Sequence, residues 1–432
     1  MYKNILALSA LGFSCASLAA LDCGGVPGSY NENDAFIAAT ATVAPTAYVG
    51  INVEVCDTAQ VLGSAVLSTT NSQPLTIRGN SRIFGNATLT TLTKPLIVEG
   101  NSKIYGNAVV ISQSVTGSQL THTVIRGQAQ IFDSANVKGL VQFAENNKVQ
   151  VYNSALVSGT VTLSGTAQVF GNATVRESAT IADQAVIYDS ADVYGKALVQ
   201  GASQVYGNSK VSGNALIDRD AQISGTAEIT DNAQATDVVM IAGNAKIKQN
   251  AKLADGAYIY DDAVITGDAF VYEDAQVYGE AHIYGHAEVA GNAKIYDNAI
   301  IRGRSKIYES PIIYDNAEIS GEAVIQGQAQ VFQLAKIFGS SQVYGQSVVR
   351  GSAQVFGKAQ IYDNAQIADQ GRISGDAAIY QNAIIGGDAK IFEFGQVYGN
   401  AQVTGTTSIH GTALVYGNAV LTSGDYKQGN HL

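Results

Sequence analysis

Tyrosine is the chemically active side chain that recurs most regularly in this 432-residue chain, which contains 22 tyrosines and no tryptophan. Two rows of aromatic residues have a spacing of 18 residues. The rows are Tyr260, Tyr278, Tyr296, Tyr314, Phe332 and, separately, Tyr344, Tyr362, Tyr380, Tyr398, Tyr416. If successive members lie one strand spacing apart, about 4.8 Å, their rings can stack in offset fashion. Such rows either stiffen a sheet or form a strip that binds a glycan or another copy of the chain.

Acidic residues form a second regular set. Asp237, Asp255, Glu273 and Glu309 share one phase of the 18-residue spacing, and Gly291 interrupts the series. Stacked carboxylates could supply the several oxygen ligands that Ca²⁺ requires. The calcium-binding nonapeptide repeat, with its Gly-Gly-x-Gly-x-Asp signature, does not occur in the sequence. We therefore expect solvated turn carboxylates at these positions, and we expect neither a bound metal nor a cofactor.

A six-residue repeat positions both sets. It runs from Ala155 to Leu421 without insertion or deletion, in 45 units. The first residue of the unit is Ala in 34 of the 45 units. The third residue is Val, Ile or Leu in every unit but one, where it is Ala235. The typical unit reads Ala-x-Val/Ile-Tyr-Gly-Asn.

Each unit predicts one short strand and one corner. Positions one and three face the same side of a strand because side chains alternate with a period of two. Positions two and four face the other side and carry polar or aromatic residues. Positions five and six are mostly Gly, Asp and Asn, which tolerate positive φ and bend the chain. Since one short strand cannot bury its apolar side alone, the copies must stack into a solenoid.

The fifth position indicates how many units form one turn. It is glycine at seven successive positions spaced 18 residues apart, Gly267, Gly285, Gly303, Gly321, Gly339, Gly357 and Gly375. Three units per turn predict an all-β, triangular, parallel β-helix of about twenty turns and about 95 Å. We expect so narrow a core to exclude aromatic rings at position three.

The repeat resembles that of the hexapeptide-repeat, left-handed parallel β-helix proteins, the superfamily of bacterial hexapeptide transferases, over residues 35–421. The resemblance implies the left hand, whereas general crossover rules favour right-handed connections. It also implies a possible activity, because many members are acyltransferases that use a histidine as general base beside a protruding loop and a subunit boundary.

His122 is the candidate for that base. It adjoins the longest excursion from the repeat, Ile111 to Thr121, whereas His282, His286 and His410 lie in the part without loops. No partner acid or base can be named around His122. Acyl transfer is therefore the alternative to a non-enzymatic function.

The chain divides into five predicted segments. Residues 1–20 are a signal peptide, with Lys3, an apolar stretch from Ile5 to Phe13, and a small-residue cleavage site. Residues 21–34 are an irregular cap, 35–151 a β-helix with loop insertions, 152–424 an uninterrupted β-helix, and 425–432 a polar tail.

Two cysteines remain after Cys15 is removed with the signal peptide. In an oxidising compartment Cys23 and Cys56 are expected to form a bridge, and two buried thiols are the alternative.

Charge excludes some partners. The net charge is −11 and the basic residues are not clustered, which disfavours binding to nucleic acid or to an anionic membrane. The apolar stretch from Ile5 to Phe13 is too short to span a bilayer, and no other run is a candidate for a membrane anchor. We predict an exported rod in the periplasm, at the cell surface or secreted. Its role is structural, adhesive or surface-binding, with polysaccharide or other copies of itself as partners.

Overall fold

The structure, a computed structural model, describes residues 22–432, and within that range it contains strands and turns but no helix. The predicted signal peptide, with Cys15, lies outside the described residues. The chain winds into a parallel solenoid with three sheets, about 18 residues per turn and about 22 turns. The predicted three-sided fold is confirmed, with about 22 turns where we expected about twenty. At one strand spacing per turn the rod is about 105 Å long.

Strand lengths vary in the first part of the chain and are uniform afterwards. The first nineteen strands are β1 (Gly28–Tyr30), β2 (Phe36–Ala38), β3 (Thr42–Val43), β4 (Tyr48–Val49), β5 (Val53–Val55), β6 (Gln60–Val61), β7 (Val66–Thr69), β8 (Leu75–Ile77), β9 (Arg82–Ile83), β10 (Thr88–Thr91), β11 (Leu96–Val98), β12 (Lys103–Ile104), β13 (Val109–Ser112), β14 (Thr123–Ile125), β15 (Gln130–Ile131), β16 (Asn136–Gly139), β17 (Gln142–Phe143), β18 (Gln150–Val151) and β19 (Leu156–Gly159). From β20 (Thr162–Leu163) to β63 (Val420–Leu421), each strand has two residues and begins six residues after the previous one. The last strands are β64 (Asp425–Tyr426) and β65 (Asn430–His431).

Every third strand belongs to the same sheet. We call the sheet that contains β2, β5 and β8 face A, the sheet with β3 and β6 face B, and the sheet with β4 and β7 face C. The corners are named by the faces they join, in chain order: A–B, B–C and C–A. Neighbouring turns pair in parallel and in phase, so that Gln168 lies beside Val186 and Val169 beside Ile187.

Positions one and three fill the core, as their pattern predicts. Ala293 and Ile295 are fully buried, while the intervening Lys294 is exposed. One expectation is wrong, because the ring of Phe143 occupies position three on face A and is fully buried. The corner after Phe143, residues 144–149, is longer than the four-residue corner of a regular turn, so the chain there has extra length to accommodate a ring.

Most of the insertions lie at one corner. Residues 70–74, 92–95 and 113–122 all connect face C to face A. The face C strands that precede them have four residues each, and their extra residues pair with the next turn. The predicted excursion from Ile111 to Thr121 therefore begins within β13.

Both ends contain strands that the sequence did not reveal. Strand β1 pairs antiparallel with β2, and it lies in the segment predicted as an irregular cap. Cys23 and Cys56 are paired as a disulfide with Cα atoms 5.6 Å apart, which ties this segment to the second turn. At the other end, β64 and β65 continue faces C and A through the segment predicted as a polar tail.

We expect Ile295→Phe to lower stability by about 1–3 kcal/mol, because a regular turn has no spare length to accommodate a ring. The matched control, Lys294→Phe, places the same ring outside and should have little effect. The measurement is the thermal midpoint by circular dichroism. Equal effects of both changes would mean that regular turns adapt to a ring as the turn of Phe143 does.

We expect protein lacking residues 1–20 to titrate no free thiol until it is reduced, because Cys23 and Cys56 are joined. The measurement is a thiol titration of the native protein with and without reductant. Two reactive thiols without reductant would contradict the bridge.

Candidate functional site

The first predicted tyrosine row stacks along the B–C corner. Its rings, from Tyr260 to Phe332, have centroids 4.7–5.1 Å apart and planes within 5–9° of parallel. They occupy position four, directly after the face B strand, where the chain leaves the sheet. The row has five members on five successive turns, as the spacing predicts.

The second predicted row stacks along the A–B corner. Its rings, from Tyr344 to Tyr416, have centroids 4.8–5.2 Å apart and planes within 1–8° of parallel. The two rows therefore lie at different corners and at different heights along the rod.

A third row was missed by the sequence analysis. It lies on the B–C corner below the first row, with centroids 4.7–5.2 Å apart. Its members are Phe84, Tyr105, Phe132, Tyr152, Phe170, Tyr188 and Tyr206. The insertions move its first members away from the 18-residue spacing, whereas Tyr152, Phe170, Tyr188 and Tyr206 keep that spacing and could have been found by the same search. The signal was still present, because each ring directly follows the aliphatic residue of a face B strand.

Stacking determines which part of each ring meets solvent. Two parallel rings whose centroids are only about 5 Å apart cannot lie side by side in one plane, because their edges would collide. Each interior ring must therefore turn its two faces towards the rings above and below it. The edges and the hydroxyl groups remain at the surface, and the tyrosines are half-buried. The rows consequently offer aligned hydroxyl groups to a ligand and few free ring faces.

Burial in the rows raises the pKa of the phenols. The pKa of Tyr260 rises to about 12, mainly through burial and also through the neighbouring Tyr278 and Asp261. The pKa of Tyr362 rises to about 12, again mainly through burial, with smaller contributions from Tyr380 and Tyr344. A phenolate in the middle of a row would be less well hydrated than a free phenolate, because the neighbouring rings cover part of its surface.

The acidic corner residues act as clamps between turns. Glu273 accepts a hydrogen bond from the N–H of Gly291, one turn on, at 2.7 Å. The same arrangement joins Asp363 to the N–H of Gln381 at 3.1 Å. Asp237, another residue of the predicted acidic set, forms an ion pair with Arg219. Within residues 22–432 no group of three or more His, Cys, Asp or Glu side chains is arranged to hold a metal ion.

His122 lies at the end of the longest insertion, as predicted. Its Nδ1 is 2.8 Å from the hydroxyl of Thr121, and its main-chain oxygen accepts a hydrogen bond from Gln142. No ion pair to a carboxylate orients its ring within the described part of the chain. The elements of an acid–base pair are thus not assembled around it.

A histidine that the sequence analysis set aside has more partners. His410 Nε2 is 3.0 Å from Asp425, its Nδ1 is 3.8 Å from Glu393, and its ring stacks on Phe392 at 4.7 Å. Asp425 belongs to β64, in the segment predicted as a tail, so no sequence pattern predicted that these groups would lie together. The cluster fastens the last turn to the two turns before it.

The faces between the corners carry shallow polar depressions. One on face C is open to solvent and is lined by Ser352, Gln354, Arg372, Lys390 and Ser408. Arg372 there donates hydrogen bonds to Gln354 of the preceding turn at 3.0 and 3.3 Å. Such a surface suits contact with an extended partner more than enclosure of a small molecule.

We expect stability to fall between pH 10 and pH 12, since burial and neighbouring phenols raise the pKa of Tyr260 and Tyr362 from 10.0 to about 12. Because the pKa of these phenols is higher in the folded than in the unfolded state, their contribution to the free energy of unfolding is complete below pH 10. It is lost as the pH rises through the folded-state pKa. Melting temperature against pH, with tyrosinate absorbance recorded in parallel, measures this. The variant Tyr260→Phe/Tyr362→Phe should lose less stability over the same range. Ionisation of all tyrosines near their ordinary pKa without loss of structure would contradict the stacked geometry.

Comparison with known proteins identifies no protein similar to this chain. No protein-family model, no curated protein sequence and no solved structure matches the chain. Residues 22–432 contain no helix capable of spanning a membrane.

Proposed function

We propose that the chain is an exported, rigid rod with a structural or adhesive role, which acts through its repeated outer surface. The observation that carries this proposal is the continuity of the three sheets over about 22 turns, with side-chain columns that extend over several turns at their corners. A repeated surface on a stiff support suits an extended partner, because many weak contacts add through avidity.

Stiffness has two sources in this structure. Main-chain hydrogen bonds join each turn to the next, for example from Gln276 N–H to the oxygen of Ala293 at 2.9 Å. Side-chain columns run parallel to them, including the chain of amide hydrogen bonds from Asn364 to Asn382 and on to Asn400, at 3.1 and 3.0 Å. Bending would have to break contacts of both kinds on at least one face.

We assign the chain to the hexapeptide-repeat, left-handed solenoids as part of this proposal. Three strands per turn and 18 residues per turn support the assignment. Export is supported by the signal-like sequence of residues 1–20 and by the bridge between Cys23 and Cys56, since disulfides persist in oxidising compartments.

The proposed ligand of the tyrosine rows is a polysaccharide. Interior rings have their faces covered, so a glycan would bind along the ring edges through hydrogen bonds to the hydroxyl groups. In the second row the hydroxyl of Tyr380 already donates to Gln396 at 3.4 Å, which shows that polar groups lie beside the phenols. Hydroxyl groups repeated about every 5 Å form a regular template for a chain of sugars.

We expect Tyr362→Phe/Tyr380→Phe/Tyr398→Phe to weaken glycan binding steeply and to leave the melting temperature nearly unchanged, because the stack is kept and three hydroxyl groups are lost. Replacing the same residues with Ser removes the stack as well and should lower stability, by about 0.5–1.5 kcal/mol for each ring pair. A glycan array followed by titration of the best ligand measures binding. The single change Tyr380→Phe is the control and should have a small effect.

Two outcomes would contradict the proposal. Unchanged glycan binding in the triple Phe variant would mean that the tyrosine row stabilises the sheet and does not bind the glycan. Acyl transfer that His122→Ala abolishes would instead establish the enzymatic alternative.

A further inference from the structure

Acidic side chains accumulate on one stretch of the B–C corner. Four successive turns carry exposed or half-buried carboxylates without an ion-pair partner in the described part of the chain. These residues are Asp261, Asp262, Glu280, Asp297 and Asp315. Four of them accept hydrogen bonds from neutral donors of neighbouring turns, Asp261, Asp297 and Asp315 from main-chain N–H groups and Asp262 from the side-chain amide of Asn244. The negative charge of this stretch is therefore not neutralised within one copy.

Basic side chains occupy the next turns on the same side of the rod. Lys336, Arg350, Arg372 and Lys390 are exposed there, at the B–C corner or on adjoining face C. Lys336 pairs with Glu318 at 3.2 Å, and the other three form no ion pair within residues 22–432.

Two carboxylates, Asp369 and Asp388, lie on the same stretch and reduce its positive charge. Asp369 accepts a hydrogen bond from the N–H of Gly387 at 2.8 Å. Without Lys336, which is paired with Glu318, three cations face these two anions, so the stretch remains basic by one charge.

An exposed apolar side chain lies between the two stretches. Leu334 is 56% exposed at the B–C corner, between the turn of Asp315 and the turn of Arg350. Protein interfaces commonly bury apolar residues inside a polar rim, and Leu334 has charged and polar residues around it. We call the whole surface, from Asp261 to Lys390 along the B–C corner and face C, the charged strip.

We infer that two copies of the chain pair through their charged strips, antiparallel, about a twofold axis that passes between the turns of Asp315 and Lys336. This partner deepens the proposed role as a contact rod and rests on it. With that axis, the turn of Asp315 faces the turn of Lys336 in the other copy, and successive turns outward face each other in order. Asp297 then approaches Arg350, Glu280 approaches Arg372, and Asp261 and Asp262 approach Lys390.

Register follows from the fold. Both copies have the same rise per turn, so turns that face each other at the twofold axis keep their partners in step along the whole overlap. Because of the twofold symmetry, each acid–base contact occurs twice. A parallel pair in register would instead place the acidic stretch against its own copy. Asp388 would lie near Asp262 in the antiparallel arrangement, and this like-charge contact limits the affinity.

The size of the strip predicts a weak complex. Eight turns span about 38 Å, and a strand with its corner is about 13 Å wide, which gives about 500 Å² on each copy. The total of about 1,000 Å² is at the lower limit for a specific interface. Since the contacts are mainly between exposed charges, salt should weaken them strongly.

Charge reversal tests the inference on the protein without residues 1–20. We expect the wild type to dimerise at low salt and to dissociate at high salt in analytical ultracentrifugation. The acid-reversed variant Asp261→Lys/Asp262→Lys/Glu280→Lys and the base-reversed variant Arg350→Glu/Arg372→Glu/Lys390→Glu should each dimerise at least about 100-fold more weakly. An equal mixture of the two variants should dimerise again, because each restores charge complementarity for the other. Circular dichroism checks that both variants fold.

Cross-linking tests the position of the axis. Leu334→Cys should form a covalent dimer with a short thiol-reactive cross-linker, because the two residues meet near the twofold axis. The matched control is Phe394→Cys, which is similarly exposed, at 59%, but lies at the C–A corner. It should not cross-link.

Several results would overturn the inference. They are a wild type that stays monomeric at low salt, a mixture of reversed variants that stays monomeric, and equal cross-linking at both cysteine positions. Glycan binding by the base-reversed variant separates this inference from the proposed function. If this variant is monomeric and still binds glycan, glycan binding by the tyrosine rows does not require pairing. If the wild type dimerises but binds no glycan, the pairing stands and the proposed glycan binding fails.

Discussion

Hydrogen bonds between successive turns determine how this molecule is built. The N–H of Gln168, for example, donates to the oxygen of Ala185 at 3.0 Å, and the same step recurs on all three faces. A slip by one residue would turn the buried aliphatic residues outward, so the phase is fixed from turn to turn. Equivalent positions of successive turns therefore lie above one another. The charge and the aromatic character of the surface are consequently arranged in columns of side chains along the rod.

Columns impose a chemical rule on the sequence. Tyrosine above tyrosine and asparagine above asparagine attract each other, whereas a charge above a like charge repels. The fifth position follows this rule only in places: Asp261 and Glu273 are each followed one turn later by glycine, whereas Asp237 is followed by Asp255. The N–H of Gly279 then donates to Asp261, and a Cβ atom added at Gly279 would meet the main-chain nitrogen of Asp297 at 2.7 Å. Position five thus combines a positive φ, limited space and a hydrogen bond to the turn before.

The sequence predicts the features that depend only on a residue's position within the six-residue repeat. The three faces, the buried positions one and three, and the tyrosine rows after Ala155 all follow from a period that never changes. Prediction failed where the period changes or where a partner is distant in sequence. Insertions displaced the first members of the row from Phe84 to Tyr206, although its last four members keep the regular spacing, and β1 has no hexapeptide pattern because it pairs antiparallel. The buried ring of Phe143 depends on a corner with extra residues, and the cluster of His410 depends on strands formed by a sequence that looks like a tail.

The antiparallel strand β1 and the bridge from Cys23 to Cys56 give the rod a direction of assembly. Their contacts close one end of the rod without an earlier turn to pair with. Every later turn pairs with the turn before it, which is about 18 residues away in sequence. Contacts so close along the chain carry a small loop-closure cost, which favours fast, stepwise folding. The chain can therefore assemble like a zipper from its first turns, with each completed turn serving as the template for the next.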